Sequence, residues 1–179
     1  MARAGAAARI RGYEDRDAEP LARLYRRSVE EIGARHYAAS QVEAWAALAP
    51  SPARLRELAG DGRVRLVAVD ASVRPLAFVD LEPDGHIHLL YCAPEAAGRG
   101  VVSALYEVLE SLARERGIAR LFAEASEAAR GFFTRQGFAV TARREFEVAG
   151  VPIHNYAVEK LLPAPDRGAT GPTASPWGP

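Results

Sequence analysis

The sequence predicts a single domain of α/β or α+β class, a mixed sheet with helices on its faces. Three observations lead there. The first is order: one strand, two or three helices, a meander of three strands, then helix, strand, helix and hairpin. The second is the brevity of "ASVRP" and "EPDG", turn segments short enough for antiparallel hairpins. The third is the run Val101, Val102, Leu105, Val108, Leu109 and Leu112, the spacing of one buried helical face.

Residues 1–8 read as a disordered lead, and "ARIRGY" as the first strand. "EDRDAEPLARLYRRSVEEI" predicts a helix with acids in its first turn and a proline near its start. Leu21, Leu24, Val29 and Ile32 give that helix its apolar side. "AASQVEAWAAL" and "SPARLRELA" add two shorter helices, the second stopped by Gly60-Asp61-Gly62. The period then changes, and "RVRLVAVDA", "PLAFVDLEPDG" and "HIHLLYCA" read as strands. The helix after Pro94 ends at Gly117, a natural left-handed stop. "IARLFAEA" is a strand, Ser126 an N-cap for "EAARGFFTRQ", and Gly137 its close. "AVTARREFEVAG" and "VPIHNYAVEKLL" form a last hairpin around Gly150. From Pro163 the composition is that of a disordered extension, so the domain is expected at 9–162 and a tail at 163–179.

A chain of 179 residues, 49% apolar and 26% charged, has the profile of a soluble globular protein with a real core. Its 23 basic and 23 acidic side chains cancel, so no broad nucleic-acid footprint is offered. Cys92 is the sole cysteine, which excludes an internal disulfide and a cysteine-based zinc cluster. His36, His86, His88 and His154 are few and scattered. His86 and His88 could share a strand face as ligands, but alternating histidines need no metal, and none is predicted. No apolar run approaches the roughly 20 residues of a membrane span. The arginine inside "MARAGAAARI" makes it a poor signal peptide, so the expected location is cytoplasmic, without a membrane partner.

The segment "AAGRGVV" joins a strand to a helix. A helix N-terminus leaves backbone N–H groups unpaired and carries partial positive charge, so it attracts anions. Gly98 and Gly100 permit positive φ and remove Cβ atoms that would hold a diphosphate away, while Arg99 adds charge. A P-loop is excluded, because no lysine is present here. Gly98, Gly100 and Ser103 nearly fit a dinucleotide fingerprint, with Glu124 about where its ribose-binding acid belongs. The glycines, however, come several residues after Cys92, and the preceding strands read as hairpins. A tight turn that only needs glycine is the remaining alternative.

Strand "HLLYCAPE", loop "AAGRGVV", the amphipathic helix and "SEAARGFFTRQGF" together resemble the GNAT N-acetyltransferase superfamily, which uses acetyl-CoA. The N-terminal "SVEEIGARHYAASQVEAWA" is similar to a bacterial branch of it with poorly defined substrates. The resemblance implies a mixed, mostly antiparallel sheet of six to seven strands with helices on both faces. It also implies a coenzyme cradle at Ala97, Gly98, Arg99, Gly100, Val101, Val102 and Ser103, supported by Leu90, Cys92, Ser126 and Phe133. Two departures stand out: Ala97 replaces the pattern's Gln/Arg, and Val102 its final Gly/Ala. Loss of one side-chain hydrogen bond weakens such a cradle by about 0.5–3 kcal/mol without abolishing it.

In the family, two splayed strands let a backbone amide bind the thioester carbonyl; here these are "HIHLLYC" and "IARLFAEA", with amides near Tyr91 and Cys92. The customary thiol-protonating tyrosine is Phe133 here, which leaves Tyr91, Tyr156 or solvent as the proton source. Glu82 or His88 is expected as the base. Asp80 is Glu82's same-face neighbour. Cys92 reads more simply as a small core residue than as a nucleophile. Tyr37, Gln41 and Trp45 have helical spacing and are candidates for the acceptor pocket, and Asn155 matches an asparagine of the similar branch. The expected activity is acetyl transfer from acetyl-CoA to the amino group of a small molecule or peptide. A CoA-binding module without turnover is the alternative, and a homodimer is an expected possibility.

Overall fold

The computed structural model describes residues 8–163, so the expected lead and tail lie outside the described residues save for Ala8 and Pro163. β1 (Arg9–Gly12) is fastened to the first helix by charge: Arg11 donates to both oxygens of Asp17, at 2.6 and 2.8 Å. The Glu14 N–H also donates to Asp17, 2.8 Å away, so one buried carboxylate sets where α1 (Ala18–Arg27) begins. The sequence predicts that this helix runs on unbroken. Instead its end widens into a π-helical turn at Ser28–Ile32, followed by a 3₁₀ turn at Gly33–Arg35. Such wide turns re-aim side chains and recur at functional sites.

α2 (Ala39–Ala46) and α3 (Pro52–Ala59) follow, the second capped by Ser51, whose Oγ accepts the Arg54 N–H. Then β2 (Val64–Val69), β3 (Pro75–Leu81) and β4 (Ile87–Cys92) continue the antiparallel order β1-β2-β3-β4. α4 (Val101–Glu115), β5 (Arg120–Ala125), α5 (Glu127–Arg135), β6 (Ala139–Val148) and β7 (Val151–Leu161) complete the fold. The last three strands form a second antiparallel sheet in the order β5-β7-β6. Ala149 and Gly150, both at positive φ, make the two-residue turn of its hairpin.

Helices cover both faces of the first sheet, which is why β2 and β3 are almost continuously apolar. Leu66, Ala68 and Val79 pack with Leu105 and Leu109 of α4. Val67, Val69 and Phe78 pack with Leu21 and Leu24 of α1 and Leu55 of α3. Asp80 interrupts the run, fully buried, and is matched by two bonds from Arg65 at 2.5 and 2.6 Å.

The two sheets meet at one point and then part. His86 and Phe122 form an isolated parallel bridge, and the Phe122 N–H donates to Gly85 O at 3.1 Å. Gly85 has φ +96°, and a Cβ there would lie 2.0 Å from the Arg120 carbonyl oxygen, so only glycine permits the approach. Beyond this junction β4 and β5 share no ladder among the described residues. No helix of the described residues is long and apolar enough to cross a membrane.

Candidate active site

A cleft of about 490 Å³ occupies the gap between β4 and β5. One wall is the loop before α4. Gly98 and Gly100 take φ values of +74° and +79°, and Gly100 is the left-handed N-cap of the helix. A Cβ at either glycine would meet nothing within 4 Å, so these residues serve backbone conformation and an open approach. The first helical bond runs from the Ala104 N–H to Gly100 O. The amides of Gly98, Gly100, Val101, Val102 and Ser103 donate to no acceptor among the described residues, and no side chain caps the helix. This is a ready anion site. Val102 borders the cleft while packing on the core beneath α4. Arg99 is exposed and, with Val101, lies outside the lining.

The second wall is β4. Its register with β3 passes from Leu81↔Ile87 to Asp80↔Leu89, so His88 is an extra residue, a β-bulge. After the bulge the strand is regular. The Ala93 N–H donates to Leu76 O on the β3 side, at 2.8 Å. Backbone alternation therefore turns the amides of Leu90 and Cys92 away from β3, into the gap, and directs that of Tyr91 toward β3. The Tyr91 ring packs against Tyr25, centroids 4.1 Å apart, and burial lifts its hydroxyl well above the ordinary range. Burial also raises the Cys92 thiol to about 11, which leaves it protonated and unreactive at neutral pH.

His88 borders the cleft and its side chain is 43% exposed. Burial lowers its pKa, partly offset by the charge of Glu82, whose Oε1 lies 4.0 Å from His88 Nδ1. Glu82 itself sits behind the lining. It accepts from Arg63 at 2.9 Å and faces His86 Nδ1 at 3.0 Å. The other ring nitrogen of His86 lies 2.7 Å from Glu124, a cleft residue on β5. The Glu124 bond raises the His86 pKa, burial opposes it, and Glu82 adds to the rise. Glu124 also pairs with Arg144 at 3.2 Å.

One end of the cleft is lined by the π turn through Ser28, Val29 and Ile32, and by the acceptor-pocket candidates Tyr37, Gln41 and Trp45. Two of the last three have committed polar groups. The Tyr37 hydroxyl accepts the Glu127 N–H at 2.7 Å and donates to His154 O at 3.1 Å. Gln41 accepts the Ala38 N–H at 3.0 Å and donates to Pro152 O at 2.7 Å. Trp45 packs beside Tyr37 with its ring tilted by 57°, centroids 5.4 Å apart. Ser126 and Phe133 also border the cleft, where Ser126 caps α5 and Phe133 is almost wholly buried against Phe138. Ala97 borders the same stretch without a polar group. Tyr156 and Asn155 are absent from the lining: the Tyr156 hydroxyl donates to Glu127 at 2.6 Å beneath Arg130, and Asn155 is buried.

The family model of the acetyltransferase (GNAT) domain matches residues 33–160. The chain belongs to the GNAT acetyltransferase family. A GNAT relative from Escherichia coli (strain K12), "Uncharacterized N-acetyltransferase YafP", is 30% identical over 147 residues, 82% of this chain and 91% of its own. Among solved structures, a GCN5-related N-acetyltransferase from Rhodopseudomonas palustris superposes with a TM-score of 0.80 at 32% identity, covering 90% of this chain and 100% of that one. The PaiA N-acetyltransferase of Thermoplasma acidophilum, solved with coenzyme A, shares the GNAT fold at a TM-score of 0.71 and 19% identity. It covers 87% of this chain and 99% of its own. The expected GNAT fold thus stands, with seven strands among the described residues divided four and three.

Sequence reading missed three features of this GNAT cleft. Glu124 figures there only in the rejected dinucleotide fingerprint, although strand alternation in "FAEA" sets it apart from the core residues Ala123 and Ala125. The π turn and the bulge leave no signal in hydrophobic period, because each displaces one residue inside an otherwise regular run.

Proposed function

We propose that this chain transfers the acetyl group of acetyl-CoA directly to the amino group of a small molecule or peptide, with residues 9–162 as the catalytic domain. The observation that carries the reading is the set of uncommitted amides at Gly98 and from Gly100 to Ser103, beside a gap between two parted strands; the Arg99 N–H between them is spent on Ala96 O at 3.2 Å. The set suits the coenzyme's diphosphate: donors without acceptors, glycines without Cβ atoms, and a helix N-terminus behind them. Loss of a side-chain donor at Ala97 leaves that main-chain set intact.

The thioester carbonyl fits the amides of Leu90 and Cys92, which stabilise charge developing on its oxygen as the amine attacks. The C–N bond forms, the C–S bond breaks, and the ammonium proton passes to His88, the imidazole at the cleft surface. Glu82, its nearer oxygen 4.0 Å from His88 Nδ1, places a negative charge behind the ring that favours its protonated form. Phe133 has no proton to give the departing thiolate, and Tyr156 is turned away. Solvent supplies that proton, since a thiolate with a free pKa of about 8.5 is a stable leaving group. Direct transfer, without an acyl-enzyme, agrees with the inert state of Cys92.

Thiol release from acetyl-CoA, measured over a panel of amines and peptides, tests the reading. Turnover with at least one acceptor is expected. Saturable acetyl-CoA binding with no acceptor used would make the chain a CoA-binding module, and no binding of acetyl-CoA would overturn both.

A further inference from the structure

Glu82, His86 and His88 bring one carboxylate oxygen and two imidazole nitrogens within 4.8 Å of one another. Bonds of about 2.0–2.2 Å in a tetrahedral zinc site hold neighbouring ligand atoms some 3.3 Å apart. Glu82 Oε2 lies 3.0 Å from His86 Nδ1, close to that value, and one ligand atom from each of the three residues falls within 4.8 Å of the other two. His86 faces a carboxylate at each ring nitrogen, and such an arrangement needs a cation between Nδ1 and Glu82, either a proton or a metal ion. Glu124, 2.7 Å from Nε2, holds the N–H there and leaves Nδ1 aimed at the cluster. A carboxylate behind a histidine is the usual support of a metal ligand. Arg63 stays on the other Glu82 oxygen, its charge matched by Asp61 at 2.6 Å and Asp80 at 3.2 Å. Mixed nitrogen and oxygen donors suit zinc rather than magnesium or calcium.

We infer that Glu82, His86 and His88 form a binding site for one zinc ion at the edge of the cleft, with its fourth position open to solvent through the His88 side. Coordination through Nδ1 of His88 confines its proton to Nε2, so the bound ion takes the proposed base out of use. Zinc is then an inhibitor of acetyl transfer. The inhibition rests on the reading of His88 as base; the binding does not.

Calorimetric titration of zinc chloride into the untagged, chelator-treated chain tests the site. One equivalent is expected to bind to the wild type and to His36→Ala, and none to His88→Ala, whose half-exposed bulge position spares the core. Glu124→Gln removes no ligand, yet is expected to weaken binding about 10- to 100-fold. Absence of one-equivalent binding, or its survival in His88→Ala with an unchanged melting curve, overturns the site. Acetylated product, followed while zinc is raised, is expected to fall at the binding midpoint. Binding with undiminished transfer would keep the site and remove His88 as base.

Discussion

His88 owes its position to one surplus residue in a strand. The bulge frees its side chain from the ladder and lets it reach the cleft while its neighbours Ile87 and Leu89 stay buried. If it takes the ammonium proton, His88→Ala lowers kcat by roughly 100- to 10,000-fold. Acetyl-CoA affinity is expected to stay near the wild-type value, because the amides proposed to hold its diphosphate lie in the loop before α4. Steady-state kinetics beside a binding titration separates the two effects, and equal loss of both would mean that the bulge supports the cradle. Cys92 points to a second residue-level outcome. Its thiol, raised to about 11 by burial, remains protonated at neutral pH. Incubation with acetyl-CoA alone is therefore expected to leave the intact mass unchanged. An acetylated species that chases to an amine would replace direct transfer by a covalent route.

At the scale of elements, the loop before α4 and the junction at Gly85 do different work with the same residue type. Gly100→Asp places a carboxylate where free amides point and a side chain where φ is +79°. Acetyl-CoA binding should weaken by well over 10-fold while the fold survives, since nothing lies within 4 Å of that position. Unchanged affinity in a titration would take the loop out of the site. Gly85→Ala should instead strike stability. Its Cβ would overlap a backbone oxygen at 2.0 Å with φ at +96°, a cost of about 2–4 kcal/mol that a shift in urea midpoint would report. The sequence makes the first glycine legible, because the strand, glycine turn and amphipathic helix stand in one stretch. It hides the second, because the Arg120 carbonyl that demands it lies 35 residues on and reaches it only through tertiary packing. The same division runs through the cleft. Gly98, Gly100 and His88 are readable from local pattern, whereas the π turn, the bulge and the Glu124–His86–Glu82 contacts arise where separate segments converge.

The whole molecule depends on how two sheets that barely touch are kept together. Besides the Gly85 junction, α4 spans them: it packs on β2 and β3 through Leu105 and Leu109, and its Glu110 accepts from Lys160 of β7 at 2.5 Å. Tyr106 and Arg114 also donate to Glu110. Burial pushes the Glu110 carboxyl up, but the bonds from Lys160, Tyr106 and Arg114 outweigh it and bring the carboxyl down to about 2. A depressed carboxylate contributes its stability in full above its unfolded value of about 4.5 and loses it as pH falls toward about 2. In that window the unfolded chain binds the proton first, so unfolding becomes easier. Glu110→Gln removes the titrating group, and it leaves Lys160 with a weaker partner. It should therefore be less stable than the wild type at pH 7, with the gap narrowing as pH falls from about 4.5 to about 2. Chemical denaturation of both chains across that range measures the difference directly. A gap that stays constant with pH would mean that α4 holds the two sheets by apolar packing alone, and that the charge cluster at its outer face adds no cohesion between them.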